Sequence, residues 1–374
     1  IAQPPTVTGI SPLTTLTSGG VLAGWDAGTK IQASDAQAND TFGGENAVSM
    51  SSDGTKVIVA ARLEDTGGSD AGKAYIYTYS SGSWGSEVML QSSDIQANDV
   101  FGHSVSMSGD GTKVIVGAYG EDTGASDSGS AYIFAFSSGS WSQEAKIQAS
   151  DRQDADYFGE SVSMSSDGTR VIVGVPLEDT GGAAAGSAYI FAYNSGSWSQ
   201  EAKIQSSDIQ ANDRFGYTVS MSGDGNKVLV GATNEGGSWT GAAYIFAYNS
   251  GSWSQEAKLL PSDTASSVEF GRKIAMSSDG TRVIVGAIYE DTGGYNVGKA
   301  YIYTYSSGSW GSEVMLQASD KQVDDRFGAS VAMNSDGTKV IVGARLEDTG
   351  GSDAGKAYIY TYSSGSWGSE VMLQ

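Results

Sequence analysis

Acidic loops are the first place in this chain where residue type and spacing could do chemistry. Glu-Asp-Thr-Gly occurs at Glu64–Gly67, Glu121–Gly124, Glu178–Gly181, Glu290–Gly293 and Glu347–Gly350. In three of these loops a second aspartate follows five residues on, giving the pairs Asp65 and Asp70, Asp122 and Asp127, and Asp348 and Asp353. Carboxylates in a short glycine-containing loop, helped by backbone carbonyls, are the oxygen donors that Ca2+ takes. These six are the candidate metal ligands, and Ca2+ is the candidate cofactor. The third loop has Ala184 in place of the second aspartate and the fourth is shortened to Thr233-Asn234-Glu235-Gly236, so such sites would be unequal. The competing reading is that these aspartates cap turns through their own side chains and that an acidic surface favours solubility.

A second set of residues is marked by variation. Phe-Gly pairs begin at Phe42, Phe101, Phe158, Phe215, Phe270 and Phe327. The residue after each pair, allowing a two-residue insertion in the first, is Asn46, His103, Glu160, Tyr217, Arg272 and Ala329. These are the candidate ligand-binding residues. Glu160, Tyr217 and Arg272 could also be read as the acid, nucleophile and anion clamp of a glycosidase. The sialidase Asp box, Ser-x-Asp-x-Gly-x-Thr-Trp, is not matched by Ser51-Ser52-Asp53-Gly54-Thr55, however, and no catalytic residue is assigned. His103, the single histidine, reads as a solvent-facing residue and not as a metal ligand, because a metal site needs partners.

Charge narrows the partners. Lys and Arg number 21 against 43 Asp and Glu, a formal charge of −22, which makes nucleic acid and anionic membrane poor partners. There is no cysteine, hence no disulfide and no thiolate metal site. No apolar run approaches the roughly 18 residues of a membrane span. A start at Ile1 fits a processed, exported protein, and the expected location is extracellular or on a cell or virion surface.

The elements that must position these residues repeat. The Phe-Gly pairs are spaced by 59, 57, 57, 55 and 57 residues, and residues 62–91 and 345–374 are identical over 30 positions. Each unit reads as four strands. Ser104-Val105-Ser106-Met107 alternates with period two, as a half-buried strand does. Val114-Ile115-Val116 is apolar throughout and should be covered on both faces. Between them, Asp110-Gly111 is the dipeptide of a two-residue hairpin with positive φ. The third strand carries Tyr75, Tyr77 and Tyr79 on one face, and the fourth begins at a tryptophan, as at Trp84 and Trp141. A four-stranded antiparallel sheet with an aromatic face cannot bury that face alone, and radial stacking of such sheets makes a β-propeller. A linear β-solenoid is the rival architecture.

Phe-Gly at the start of the first strand, Val-Gly-Ala at the end of the second, Ala-Tyr-Ile-Tyr in the third and Gly-Ser-Trp in the fourth together resemble FG-GAP repeats, over residues 25–374. The resemblance implies an all-β propeller of four-stranded antiparallel blades. Related repeats build the seven-bladed head of integrin α subunits, where an EF-hand-like turn between the first two strands chelates calcium. Here that turn is Ser52-Asp53-Gly54-Thr55-Lys56, with one carboxylate and a lysine, so that calcium site is not carried over.

The fourth-strand pattern occurs seven times, because Trp25–Gln32 matches it, whereas the other three strands occur six times. We therefore expect one domain over residues 1–374, with six repeats over 33–374 and an N-terminal closing segment, 1–32. That segment forms a shortened seventh blade, with Thr6–Ser11 and Leu13–Ser18 as strands, or else leaves a six-bladed ring whose N-terminal strand pairs with another molecule. Linkers and loops on one face hold 28 of the 43 acids, so that face should attract cations. Two functions follow. One is a non-enzymatic binding or adhesion module for a protein or glycan. The other is a structural subunit of a surface layer, filament or viral appendage, self-associating through its N-terminal strand.

Overall fold

The computed structural model describes residues 29–237, 239–263 and 267–373. It is a β-propeller of six blades, and each blade pairs its four strands antiparallel in sequence order. The first strands, Val48–Met50, Ser104–Met107, Ser161–Met164, Phe215–Met221, Lys273–Met276 and Phe327–Met333, lie nearest the axis. The candidate strands Thr6–Ser11 and Leu13–Ser18 lie outside the described residues, and Thr29–Gln32 forms no strand. No helix among the described residues is long and apolar enough to cross a membrane.

Burial follows the apolar pattern. In the first five units the second strand is buried at every position after its opening cation, as in Lys113–Ala118. The hairpin before it differs from the two-residue turn expected. The Ser108 N–H donates to the Lys113 carbonyl at 2.9 Å, leaving four residues between, and only Gly111 takes positive φ, at 65°. Asp110 works through its side chain, accepting from the Thr112 N–H at 2.9 Å and from the Ser108 hydroxyl at 2.7 Å. That bonding fixes a longer loop without a left-handed aspartate.

Fourth strands come in two forms. Ser140–Ile147, Ser197–Ile204 and Ser252–Leu259 are continuous with a bulge opposite the third strand. In the other three units the strand is broken after its tryptophan, as Ser83–Trp84 and Val88–Leu90 show.

Blades meet through one repeated contact. The Phe101 N–H donates to the carbonyl of Ala71 in the preceding blade at 2.9 Å, and Phe158, Phe215, Phe270 and Phe327 do the same to Ser128, Ala185, Thr240 and Val297. The phenylalanine ring then packs on the buried tyrosine of its own third strand, with centroids 5.4 to 5.8 Å apart in all six units. Backbones approach so closely here that a Cβ on Gly117 would stand 2.1 Å from the Gly159 carbonyl oxygen of the next blade. Gly139, by contrast, sits in an exposed turn with nothing within 4 Å.

Gly117→Ala is therefore expected to lower stability by about 3 kcal/mol through overpacking against backbone. Gly139→Ala should cost only the left-handed penalty of about 1 kcal/mol. Urea unfolding of both variants reads the difference, and equal losses would mean that the junction does not govern stability.

Candidate functional site

The acidic face is less free than its composition implies. In every unit a lysine ammonium bridges a linker aspartate and the first glutamate of the acidic loop, and the third-strand tyrosine hydroxyl donates to the same aspartate. In the second unit Lys146 reaches Asp94 at 2.7 Å and Glu121 at 2.8 Å, and the Tyr132 hydroxyl donates to Asp94 at 2.9 Å. The same clamp joins Lys73 to Asp35 and Glu64, Lys203 to Asp151 and Glu178, Lys258 to Asp208 and Glu235, Lys299 to Asp263 and Glu290, and Lys356 to Asp320 and Glu347. Twelve of the acids assigned to that face are thus internal partners, and the six glutamates are buried.

The lysine reaches this point from two different strands. Lys73, Lys299 and Lys356 open the third strand, whereas Lys146, Lys203 and Lys258 stand on the fourth, opposite the tyrosine. Where the lysine has moved to the fourth strand, Ser130, Ser187 or Ala242 takes the vacated third-strand position, and the Ser130 and Ser187 hydroxyls donate to the loop glutamate. Burial opposes ionisation of Asp94, Asp151 and Glu178, yet the hydrogen bonds from lysine and hydroxyl outweigh it and hold all three carboxyls below their usual values.

The six candidate calcium ligands do not form a chelating set. Asp65, Asp122 and Asp348 each accept from the backbone N–H of the second aspartate, at 3.0, 2.7 and 2.7 Å. Asp179 makes the same bond to Ala184 and Asp291 to Asn296, so the bond needs no second carboxylate. Asp70, Asp127 and Asp353 have φ of 52°, 50° and 54°, as Ala184 and Asn296 have 49° and 52°. The second position is a left-handed turn residue, which explains Asp or Asn there. Among the described residues no group of three or more His, Asp or Glu converges to hold a metal ion. The loops as placed fit a turn cap and not Ca2+.

The variable residues do converge. Asn46, His103, Glu160 and Tyr217 line one cavity of about 390 Å³ at the mouth of the central channel. A tight turn around each Phe-Gly aims them inward, with the His103 N–H donating to Val100 at 3.0 Å and the Glu160 N–H to Tyr157 at 3.2 Å. Arg272 lies beside this cavity, its guanidinium 5.7 Å from the Tyr217 ring and 2.6 Å from Glu269. Ala329 does not line it.

Comparing only the position after Phe-Gly misses eight of the twelve lining residues. Tyr157 and Arg214 come from the position before Phe-Gly, and Arg62, Tyr119 and Pro176 from the first residue after the second strand. Both positions also vary among the units, with five residue types in six, so the signal is present in the sequence.

Electrostatics at the mouth run against the chain's net charge. Arg62, Arg214 and Lys273 all line the cavity, with Glu45 and Glu160 as the lining acids. The Arg62 Nη1 donates to His103 Nδ1 at 3.0 Å, which leaves the proton of a neutral imidazole on Nε2. That nitrogen is buried, has no hydrogen-bond partner, and stands 3.4 Å from Glu160 Oε1. His103 packs edge-on to Tyr119 at 4.6 Å, and Tyr119 packs on Tyr157 at 5.1 Å. Burial pushes the Tyr119 and Tyr217 hydroxyls up and lowers the Lys273 ammonium from its ordinary value. The result is a cradle of cations, aromatic rings and one free N–H donor.

The sequence profile of the FG-GAP repeat matches six consecutive segments, 25–77, 84–134, 141–191, 198–246, 253–303 and 310–360. The chain belongs to the FG-GAP repeat family. A search of curated proteins found no match. From the second onward, each FG-GAP segment runs from the tryptophan of one blade's fourth strand to the third strand of the next, so the repeat spans an interface between blades.

Two outcomes follow from the clamp and its neighbours. Lys146→Met strips a buried carboxylate of its counter-ion and should cost about 3–5 kcal/mol. Adding Ser130→Lys, which copies the arrangement of Lys73, should restore most of that loss in denaturant melts, and no restoration would show that the two routes to the clamp are not equivalent.

Burial, helped by the neighbouring acids, pushes Asp99 and Asp156 up to about 6, outweighing the backbone N–H of Gln96 or Gln153 that each carboxylate accepts. Their charged forms are disfavoured in the fold, so stability declines as pH rises from about 4 through 6. The depressed clamp carboxyls act oppositely and lose their contribution as pH falls below about 4. The melting temperature should therefore be higher near pH 5 than at pH 7.5, and Asp99→Asn should narrow that difference. A profile that rises from pH 5 to 7.5 would contradict this balance.

Proposed function

We propose that this protein is a non-enzymatic binding or adhesion propeller, acting outside the cell, that takes a carboxylate-bearing group of a glycan or protein ligand at the mouth of its channel. The observation that carries this reading is the convergence of Arg62, Arg214 and Lys273 with tyrosine rings and the unpartnered His103 Nε2 in one cavity of a chain charged −22. Guanidinium groups bind carboxylates through paired N–H donors, and aromatic faces stack on sugar rings or side chains. The surrounding acids work in the other direction and repel polyanions, so a short acidic group presented singly fits better than a polymer of charge. A structural subunit of a layer, filament or virion appendage is the second reading, and it rests on the exposed apolar side chains Ile341 of the sixth blade and Val48 and Met50 of the first.

A glycan array supplemented with acidic peptides should give binding to carboxylate-bearing ligands over their neutral counterparts. The Arg62→Ala and Arg214→Ala pair should weaken that binding at least about tenfold, in line with loss of charged hydrogen bonds, while Trp310→Ala on the outer strand leaves it unchanged. Equal binding of neutral and acidic ligands, or indifference to the arginine pair, would remove the reading.

A further inference from the structure

Three aromatic residues break the repeat, and they gather at one place. Seven of the eight tryptophans begin the fourth-strand pattern, and Trp239 is the exception. It stands two residues before the last glycine of its loop, where the other units have Asp70, Asp127, Ala184, Asn296 and Asp353, and it shares their left-handed backbone with φ of 54°. Tyr289 stands where Leu63, Gly120, Leu177, Asn234 and Leu346 do, and Tyr295 where Ser69, Ser126, Ala183 and Ser352 do. The other units fold without these rings, so the blade itself does not require them.

Trp239 from the acidic-loop position of the fourth blade and Tyr289 and Tyr295 from that of the fifth line one open pocket of about 450 Å³. That lies within the range of about 300–1,000 Å³ of small-molecule sites. Trp239 is 37% and Tyr295 64% exposed. A buried ring stabilises a fold, whereas clustered exposed rings leave apolar surface for a ligand to cover.

The rest of the wall is polar and carries both signs, from Glu269, Asp291, Asn296 and Arg326. One oxygen of each carboxylate is held by the fold. Glu269 Oε2 accepts from Arg272 at 2.6 Å, and Asp291 Oδ1 accepts from the Asn296 N–H at 2.8 Å. The second oxygen of each is a further acceptor. Arg326 supplies donors, and its Nε–H is buried with no hydrogen-bond partner.

This lining selects among ligands. A cation is disfavoured because the rings already carry the chain's own guanidinium groups, Arg214 over Trp239 at 4.8 Å and Arg326 over Tyr289 at 5.3 Å. An anion is disfavoured because two lining carboxylates face one guanidinium. A purely apolar group would leave Arg326 and both carboxylates unpaired. A neutral sugar ring meets every condition, being uncharged, with hydroxyls that both donate and accept and a C–H face that lies on an aromatic ring.

We propose that this pocket between the fourth and fifth blades binds a neutral sugar ring of a glycan, at a site separate from the channel mouth. No lining residue is common to the two cavities, so a sugar is held here whether or not a carboxylate is held there. They adjoin, because Arg214 lines the mouth and covers Trp239, while Glu269 of the pocket holds Arg272 beside the mouth.

The test is saturation-transfer NMR on the full chain with methyl glycosides of neutral hexoses and N-acetylhexosamines, and with tetramethylammonium as a charged probe. Trp239→Asp and Tyr295→Ser each install a residue found at that place in other units, and thermal melts check that both variants fold. At least one glycoside is expected to show saturated ring protons, with binding weakened at least about tenfold in each variant through loss of an aromatic contact. No saturation of any glycoside would overturn the proposal, as would saturation that survives both substitutions. Loss of the signal in Arg62→Ala, with none in the two pocket variants, would place the sugar in the channel mouth and overturn it too. Saturation of tetramethylammonium alone would overturn it in favour of a cation cage.

Discussion

Close approach of backbone to backbone between neighbouring blades is the constraint on which the rest of this structure depends. It removes the side chains of the two residues that meet, the glycine next to the end of the second strand, replaced by Ala60 in the first unit, and the glycine after each phenylalanine. The phenylalanine then has one place to go, against the buried tyrosine of its own third strand, where edge-on contact adds to burial. Gly117 and Gly159 are the clearest pair, because no Cβ fits between them. The motif that defines the family is therefore a description of an interface, which is why each matched segment from the second onward starts in one blade and ends in the next.

A junction so tight buries the loop glutamate, and the lysine clamp gives it a counter-ion. One ammonium neutralises two carboxylates, and the tyrosine hydroxyl completes the aspartate. Reaching one point in space from Lys73 on the third strand or Lys146 on the fourth shows that position of charge is conserved among the units while its attachment is not. The exchange also accounts for the two forms of fourth strand. Units with the lysine on the fourth strand carry Gln-Glu-Ala-Lys in a continuous bulged strand, and units without it carry Gly-Ser-Glu-Val-Met in a broken one.

Much of this was legible because repetition amplifies weak signals. Period-two alternation at Ser104–Met107 and an apolar second strand at Val114–Val116 each say little alone, and six ordered recurrences say propeller. What failed was charge. Counting acids by loop treats Glu121 and Asp122 as alike, yet one side chain points into the clamp and the other caps its own loop, a difference set by backbone direction over a single residue. The Glu-Asp pair thus mimicked a calcium loop while doing two separate structural jobs. The channel mouth was legible in part. Asn46, His103, Glu160 and Tyr217 were found from one variable position, while Arg62, Arg214 and Tyr157 required knowing that the residues flanking Phe-Gly and ending the second strand point to the same axis.

Near-identity elsewhere gives those variable positions their weight. Units that repeat 30 residues without change have had little opportunity to drift, yet the residue after Phe-Gly differs at every unit. The interface constraint does not reach these residues, since most of them face the cavity at the channel mouth and not a neighbouring backbone. A ring of six solvent residues under no constraint would, in so acidic a chain, carry acids at least as often as cations. Instead the cavity gathers Arg62, Arg214 and Lys273, with His103 held in one tautomer by the first of them and its remaining N–H turned inward. Fixing the orientation of a buried donor costs desolvation unless something accepts from it, and Glu160 at 3.4 Å does so poorly. The unspent donor and the cations beside it are the groups that the proposed ligand would meet at the channel mouth.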